Sequence, residues 1–325
     1  MRSWYEELRT CYSLQAQHFW HTRKKFWPEL EYIQRELEEK PRSTAGQGSK
    51  RKANHAVLRG ESWTSQAIIS RQENRRDAYY APSKSNNSDT FIILELGCGI
   101  GREKLFEMIE YALRGHKWIY TGVDNASWMI EQAQKQAYGK SENIRFICAD
   151  MIDYLRSLED ESIDCILWIA SIQHLMDEEQ RQILRQHAYR VLKRDGKMML
   201  VNRSYSLWFL KKYRKFQLKT LVKTLWTWGE RNRNDIIIPW KDPWFQQNQK
   251  YRQRRYHIFT LYELQQLSLL SGFIVEKLGY IQQDGSWDKK NRKNSRNSLL
   301  VVRKGVNKVR GMETGEKVIS KRWKN

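Results

Sequence analysis

Apolar residues occur along this chain as short continuous runs separated by stretches of helical period. Residues Phe91 to Leu94 with Leu96 form a run of the kind expected of a strand buried on both faces. The run ends in Glu95 and three alternate glycines, Gly97, Gly99 and Gly101, and an amphipathic helix follows from about Arg102. A second run, Trp118 to Val123, ends in Asp124, with a helix starting near Ser127. A third, Ile144 to Cys148, leads into Ala149-Asp150-Met151. The fourth is Ile163 to Ile169 and the fifth Lys197 to Asn202. Between these two the spacing predicts a helix from about Asp177 to Lys193, closed by Arg194-Asp195-Gly196 as a C-terminal turn. Strand and helix alternate five times, which predicts an α/β protein with a doubly wound parallel sheet.

The first strand–loop–helix junction carries the most specific chemistry. Glycine lets the backbone turn sharply and approach a ligand, and a helix start presents N–H groups that lack an intrahelical acceptor. A dinucleotide fingerprint would read G-x-G-x-x-G, but here the third glycine comes one residue early. An acid at the end of the second strand, Asp124, can accept both ribose hydroxyls of a nucleoside, because a carboxylate is an acceptor with two oxygens. One such acid is more often a solvated loop residue; three landmarks in register are harder to explain that way. The E-x-G-x-G-x-G pattern resembles the first motif of class I S-adenosylmethionine-dependent methyltransferases. That resemblance implies a Rossmann-like fold with a mostly parallel seven-stranded sheet and S-adenosyl-L-methionine as cofactor. It places Gly97, Gly99 and Gly101 at the methionine part, Asp124 at the ribose, and Asp150 and Met151 at the adenine, with Glu95 also among the cofactor-binding residues.

Charge narrows the choice of partner. The chain has 58 Lys+Arg against 37 Asp+Glu, a net of +21, which suits a polyanion because phosphate contacts dominate nucleic-acid affinity. Fourteen Trp, sixteen Tyr and ten Phe could stack unpaired bases, or simply fill a core. The four cysteines, Cys11, Cys98, Cys148 and Cys165, contain no C-x-x-C pair and read as reduced core residues of a cytoplasmic protein, with neither disulfide nor metal site. The N-terminus lacks the apolar core of a signal peptide, and no apolar run approaches the roughly 18 residues of a membrane span.

The chain divides into an N-terminal helical segment (1–39), a basic polar linker or insertion (40–90), a nucleoside-binding domain (91–304) interrupted by an insertion (205–256), and a basic tail (305–325). Within the insertion, residues 205–228 form a basic amphipathic stretch: Phe209, Tyr213, Phe216, Val222 and Leu225 fall near one face and lysines around the others. Packing on the sheet, RNA contact and, least favoured, membrane contact all remain open for it.

Two stretches outside the core resemble one family. Tyr12 to Pro28 is similar to the pattern Y-x-x-x-A-x-x-F-x-x-T-R-x-x-x-W-P that opens the tRNA wobble-uridine carboxymethyl methyltransferases. Ile238-Pro239-Trp240, then Arg255-Tyr256-His257-Ile258-Phe259 and Glu263-Leu264, resembles that family's V-P-W, R-Y-Y-H-x-F and E-L. Ser171 to Leu175 and Arg190 to Gly196 resemble two further family stretches, although Gln173 stands where a His is usual and Asn202-Arg203 where an aromatic is typical. The resemblance implies methyl esterification of a 5-carboxymethyl group on the wobble uridine, tRNA as partner, and a small zinc-binding activator subunit.

The acceptor chemistry can be argued from the residues. A carboxylate acceptor is ionised at neutral pH and needs no general base; it needs charged donors that fix its geometry. Arg23, His174, Arg255 and His257 are of the right types, and His174 follows a strand at the sheet edge where ligands sit. Each alone has an ordinary structural reading. Two rivals stand beside the tRNA reading: a methyltransferase for a small-molecule or lipid-like substrate, and an RNA-binding protein that keeps the fold without catalysis.

Overall fold

The computed structural model describes residues 27–39, 90–137, 141–204, 206, 209, 211, 214, 234–240, 252–293 and 295–305. Its centre is an eight-stranded sheet in the order β3-β2-β1-β4-β5-β10-β8-β9. The first five strands are β1 (Thr90–Leu96), β2 (Lys117–Asp124), β3 (Ile144–Cys148), β4 (Ile163–Ile169) and β5 (Leu192–Arg203), and they run parallel. β10 (Ser295–Lys304) lies antiparallel between β5 and β8 (Phe273–Gln282). The expected seven strands are all present; the eighth, β9 (Trp287–Asp288), is a two-residue edge strand. β6 (Asp235–Trp240) and β7 (Arg252–His257) form a separate antiparallel hairpin.

Alternate residues of each central strand feed two cores, one on each face of the sheet. Leu94, Leu96, Ile166, Trp168, Met198 and Leu200 pack under the helices α4 (Met151–Ser157), α5 (Glu178–Val191) and α6 (Leu261–Leu269). Ile93, Cys165, Leu167, Met199 and Val201 pack under α1 (Glu29–Glu38), α2 (Glu103–Ala112) and α3 (Ser127–Ala137). No helix among the described residues is long and apolar enough to cross a membrane.

One sequence expectation changes at the α5–β5 junction. Arg194-Asp195-Gly196 is not a free-standing turn; β5 begins at Leu192, and the three residues form an irregular start to the strand. Asp195 has φ +60°, and a Cβ on Gly196 would come within 2.8 Å of the Lys193 carbonyl, so the chain kinks without leaving the sheet. Cys98 and Cys165 are buried as expected, but Cys148 is exposed at the end of β3. Cys11, most of the 40–90 segment, the basic tail and nearly all of the 205–228 stretch lie outside the described residues. Phe209 is described, and it is buried with Ile236, Tyr256 and Ile258.

The helix α1 is bound to the domain at several points. Leu30, Ile33 and Leu37 share one buried face, at helical spacing. The buried Glu36 carboxylate is held by Lys197 (2.8 Å) and Lys277. Glu29 accepts from the Asn297 amide, and the Tyr32 hydroxyl donates to the Gly285 carbonyl (2.9 Å). Ile33 is fully buried, so Ile33→Ala is expected to destabilise the fold by roughly 2–5 kcal/mol in denaturant titration. A cost under about 0.5 kcal/mol would mean that α1 is not docked in solution.

Candidate active site

The chemistry gathers at the C-terminal ends of the parallel strands, beside the point where strand order reverses between β1 and β4. Gly97, Gly99 and Gly101 all have positive φ (73°, 59° and 76°), which side-chain-bearing residues rarely adopt. Space matters as well: a Cβ on Gly97 would sit 2.3 Å from the Cβ of Ser171. The Gly97 and Cys98 N–H groups donate to the Val123 carbonyl, tying the loop to the end of β2. The Gly99 N–H donates to Asp124 Oδ2 (2.9 Å), and the Ala126 N–H donates to Oδ1 (3.0 Å). The Asp124 carboxylate is therefore aimed at the glycine loop. α2 starts directly after the loop, and its N-terminus carries no side-chain cap.

Asp150 caps α4. Its Oδ1 accepts from the N–H groups of Ile152 and Asp153, and neither bond uses Oδ2. Met151 follows, half-buried. Ile100, Ala126 and Met129 form a small apolar cluster against this side of the loop, with Trp128 packed on it. Together they supply an apolar wall and two acid-bearing strand ends.

Glu95 has a different place from the one expected. It is completely buried, with Oε1 paired to Arg102 and Oε2 accepting from the Tyr120 hydroxyl. Burial, then the Glu95 charge, raises the Tyr120 pKa well above 10, so the phenol remains a donor. Arg102 Nη2 also donates to the Ile169 carbonyl (3.2 Å), and its guanidinium lies 5.5 Å from the Trp27 ring. Glu95 thus fixes the loop from beneath, with both oxygens engaged by protein groups. Sequence reasoning missed Arg102, Tyr120 and Ser171. The one available signal was a polar residue on each side of an otherwise apolar strand pair.

Arg23 lies outside the described residues. His174 sits in a short 3-10 turn (Ile172–His174) after β4. Its ring packs on Tyr256 of β7, centroids 4.7 Å apart. Arg255, half-buried, precedes Tyr256 in the same strand, so the two side chains leave opposite faces. Gln173 Oε1 accepts from the Arg203 N–H (3.0 Å), joining this turn to the end of β5. At that strand end Asn202 is buried, and among the described residues neither amide atom is hydrogen-bonded, a state a buried carboxamide rarely keeps.

His257 is not at the open edge. It is buried, with Nδ1 2.7 Å from Asp235 Oδ1 and Nε2 3.6 Å from Glu263 Oε1. It clamps the hairpin onto α6, where Glu263 also completes a capping box with Thr260. Burial pulls its pKa down, but the bonds to Asp235 and Glu263 outweigh burial and raise it above 6.5. Burial pushes Glu263 up, and the bonds from His257 and Thr260 bring it down to about 2. Among the described residues no cluster of His, Cys, Asp or Glu could hold a metal ion.

The clamp has a pH window. The contribution of Glu263 is complete above 4.5 and is lost as pH falls toward about 2; that of His257 is complete below 6.5 and is lost as pH rises through its raised value. Thermal unfolding should therefore show a clamp strongest between about pH 4.5 and 6.5. His257→Gln should cost on the order of 2–3 kcal/mol there and flatten the decline on the alkaline side. An unchanged alkaline slope in that variant would refute the assignment.

Residues 93–196 match the family described as methyltransferase domain. No curated protein matches the chain by sequence. Among solved structures, a SAM-dependent methyltransferase from Methanosarcina mazei is 22% identical, with TM-score 0.50 over 67% of this chain and 94% of that one. A methyltransferase from Clostridium acetobutylicum is 14% identical, TM-score 0.45, over 66% and 84%. The 1,6-didemethyltoxoflavin-N1-methyltransferase of Burkholderia thailandensis, solved with S-adenosylhomocysteine, is 14% identical, TM-score 0.42, over 67% and 72%. The described core has the Rossmann-like fold of the class I S-adenosylmethionine-dependent methyltransferases.

Proposed function

We propose that this chain transfers a methyl group from S-adenosylmethionine to tRNA, esterifying a 5-carboxymethyl group on the wobble uridine. The observation that carries the methyltransferase reading is the Asp124 carboxylate set against Gly99 beside an uncapped helix start. The residues present fit the cofactor. The loop backbone around Gly97, Gly99 and Gly101, with the N-terminus of α2, would hold the methionine part. Asp124 would take the ribose hydroxyls, and Asp150 and Met151 the adenine. Glu95 and Arg102 keep the loop in shape.

The bound cofactor supplies an electrophilic methyl on a sulfonium. Displacement is in line, so the protein contributes mainly by alignment, a term of several kcal/mol. A carboxylate acceptor brings its own negative charge and requires no base. Arg255, on the opposite face of β7 from the Tyr256–His174 contact, is of a type suited to fix it, with a planar fork that matches a carboxylate. Asn202 offers a second polar anchor at the end of β5. His257 would position the hairpin that carries Arg255. The choice of tRNA is supported by the net charge of +21 and by the resemblance of 12–28 and 238–264 to the wobble-uridine enzymes. The same resemblance extends the proposal to Arg23 as an acceptor contact and to a small zinc-binding activator as partner.

The test is transfer of labelled methyl to bulk tRNA from cells lacking the gene, with and without an extract supplying the activator. Alkali-labile label mapped to a wobble uridine by nucleoside mass spectrometry is the expected result. Alkali-stable label would move the acceptor to another atom. Label in an RNase-resistant small-molecule fraction would replace tRNA as the substrate. Asp124→Ala should weaken cofactor binding on the order of 100-fold in calorimetry. Arg255→Lys should lower transfer while leaving that binding unchanged.

A further inference from the structure

The connection from β8 to β10 lies at the same edge of the sheet as the glycine loop. β10 opens at Ser295 opposite Gln282, and Asn297 pairs with Arg203 at the C-terminal end of β5. Trp287, Lys289, Lys290, Arg292 and Lys293 of this connection are all exposed, as is Arg296 at the start of β10. None of these five cations forms an ion pair among the described residues. Other basic residues in this part of the sheet are paired: Lys197 and Lys277 with Glu36, and Arg303 with Asp195 and Glu276. The two acids of the connection are turned to its own backbone. Asp284 Oδ1 accepts from the Ser286 N–H (2.9 Å), and Asp288 Oδ1 accepts from those of Lys290 and Asn291 (both 2.8 Å). Gln282 Nε2 donates to the Asn291 carbonyl (2.7 Å). Local polar bonds thus hold the shape of the loop, and the cations take no part in them through their side chains.

Trp287 adds a second kind of contact. It lies in the edge strand β9, and its indole is seated on the backbone of β8, where a Cβ on Gly279 would come 2.7 Å from Nε1. The absence of a side chain at 279 makes room for the ring, yet 39% of Trp287 stays exposed. An exposed aromatic with unpaired cations beside it can hold an unpaired base by stacking and the flanking phosphates by charge. Solvation alone would account for the lysines but not for an indole supported from beneath and open above. Four strand-to-strand steps separate β1 from β8, so the patch lies roughly 19 Å from the glycine loop. A small molecule at the glycine loop would not span that distance, whereas a polynucleotide would. We infer that this loop is a docking surface for RNA, with Trp287 stacking an unpaired base and Lys289, Lys290, Arg292 and Lys293 contacting phosphates of the same strand. The inference rests on the reading of RNA as substrate, and adds a second grip away from the nucleotide that is methylated.

The test uses the full chain with bulk tRNA and with an oligouridylate of about twelve nucleotides, each titrated by fluorescence anisotropy over a range of salt. The double variant Lys290→Gln/Lys293→Gln should weaken oligouridylate binding and lower its salt slope by about 1.4, as for two lost phosphate contacts on a single strand. Trp287→Ala should weaken binding on the order of 10-fold with the slope unchanged. Both variants should raise KM for tRNA methylation, with S-adenosylhomocysteine binding and the unfolding temperature unaltered. Wild-type affinity and salt slope in both variants would overturn the inference. So would loop-dependent binding to vesicles of phosphatidylcholine and phosphatidylserine with no binding to either RNA. The two readings fail separately. Loop-dependent RNA binding without methyl transfer to tRNA would support the surface and count against tRNA as substrate; tRNA methylation unaffected by these substitutions would do the reverse.

Discussion

The buried pair of Glu95 and Arg102 is the constraint on which the site depends. Glu95 is the penultimate residue of β1 and Arg102 stands just before α2, so their bond closes the glycine loop like a staple. Tyr120 holds the second Glu95 oxygen from β2, and the Ile169 carbonyl receives Arg102 from the end of β4. Three adjacent strands are thereby fixed at the edge where a ligand would lie. Removing one partner of such a pair costs about 3–5 kcal/mol because the other charge is left buried. The geometry of the loop glycines follows from this closure, with Ser171 filling the space where a Cβ on Gly97 would go.

The same staple reaches the N-terminal segment. Trp27 lies over the Arg102 guanidinium, and α1, which follows it, is fastened by Glu36 to Lys197 and Lys277. A segment more than fifty residues ahead of β1 in the chain is thus connected to the cofactor loop by one ring and to β5 and β8 by one carboxylate. On the far face, His257, Asp235 and Glu263 fasten the β6–β7 hairpin to α6 and bring Tyr256 against His174. The site is bordered by two separately clamped additions to one sheet. This suits an enzyme that works by alignment, since alignment fails if either border shifts.

Much of this was legible before folding was considered. Continuous apolar runs can be read as strands buried on both faces because helices cover both sides of a parallel sheet. The glycine spacing and the acids at the ends of β2 and β3 could be read as a nucleoside site because such sites use backbone freedom and strand-end carboxylates. Long-range pairing was not legible. The hairpin of 235–257, the burial of His257 and the inward turn of Glu95 all depend on which distant residue faces each side chain. Arg181 and Arg185 are a case in point: they lie at i and i+4 on α5, and both are turned inward.

By itself the sequence determined the order of strands and helices from β1 to β5, the glycine loop, the basic balance and the residue types available for chemistry. Each of these follows from local periodicity or composition. The tertiary structure alone decided which polar side chains are consumed in holding the frame. Glu95 and His257, read as site residues, are engaged by partners 7 to 25 positions away in the chain. Arg102, Tyr120 and Ser171, not read as site residues, support the loop. The reason is physical: a buried charge or ring takes its role from the partner that desolvation forces on it, and that partner is set by the fold.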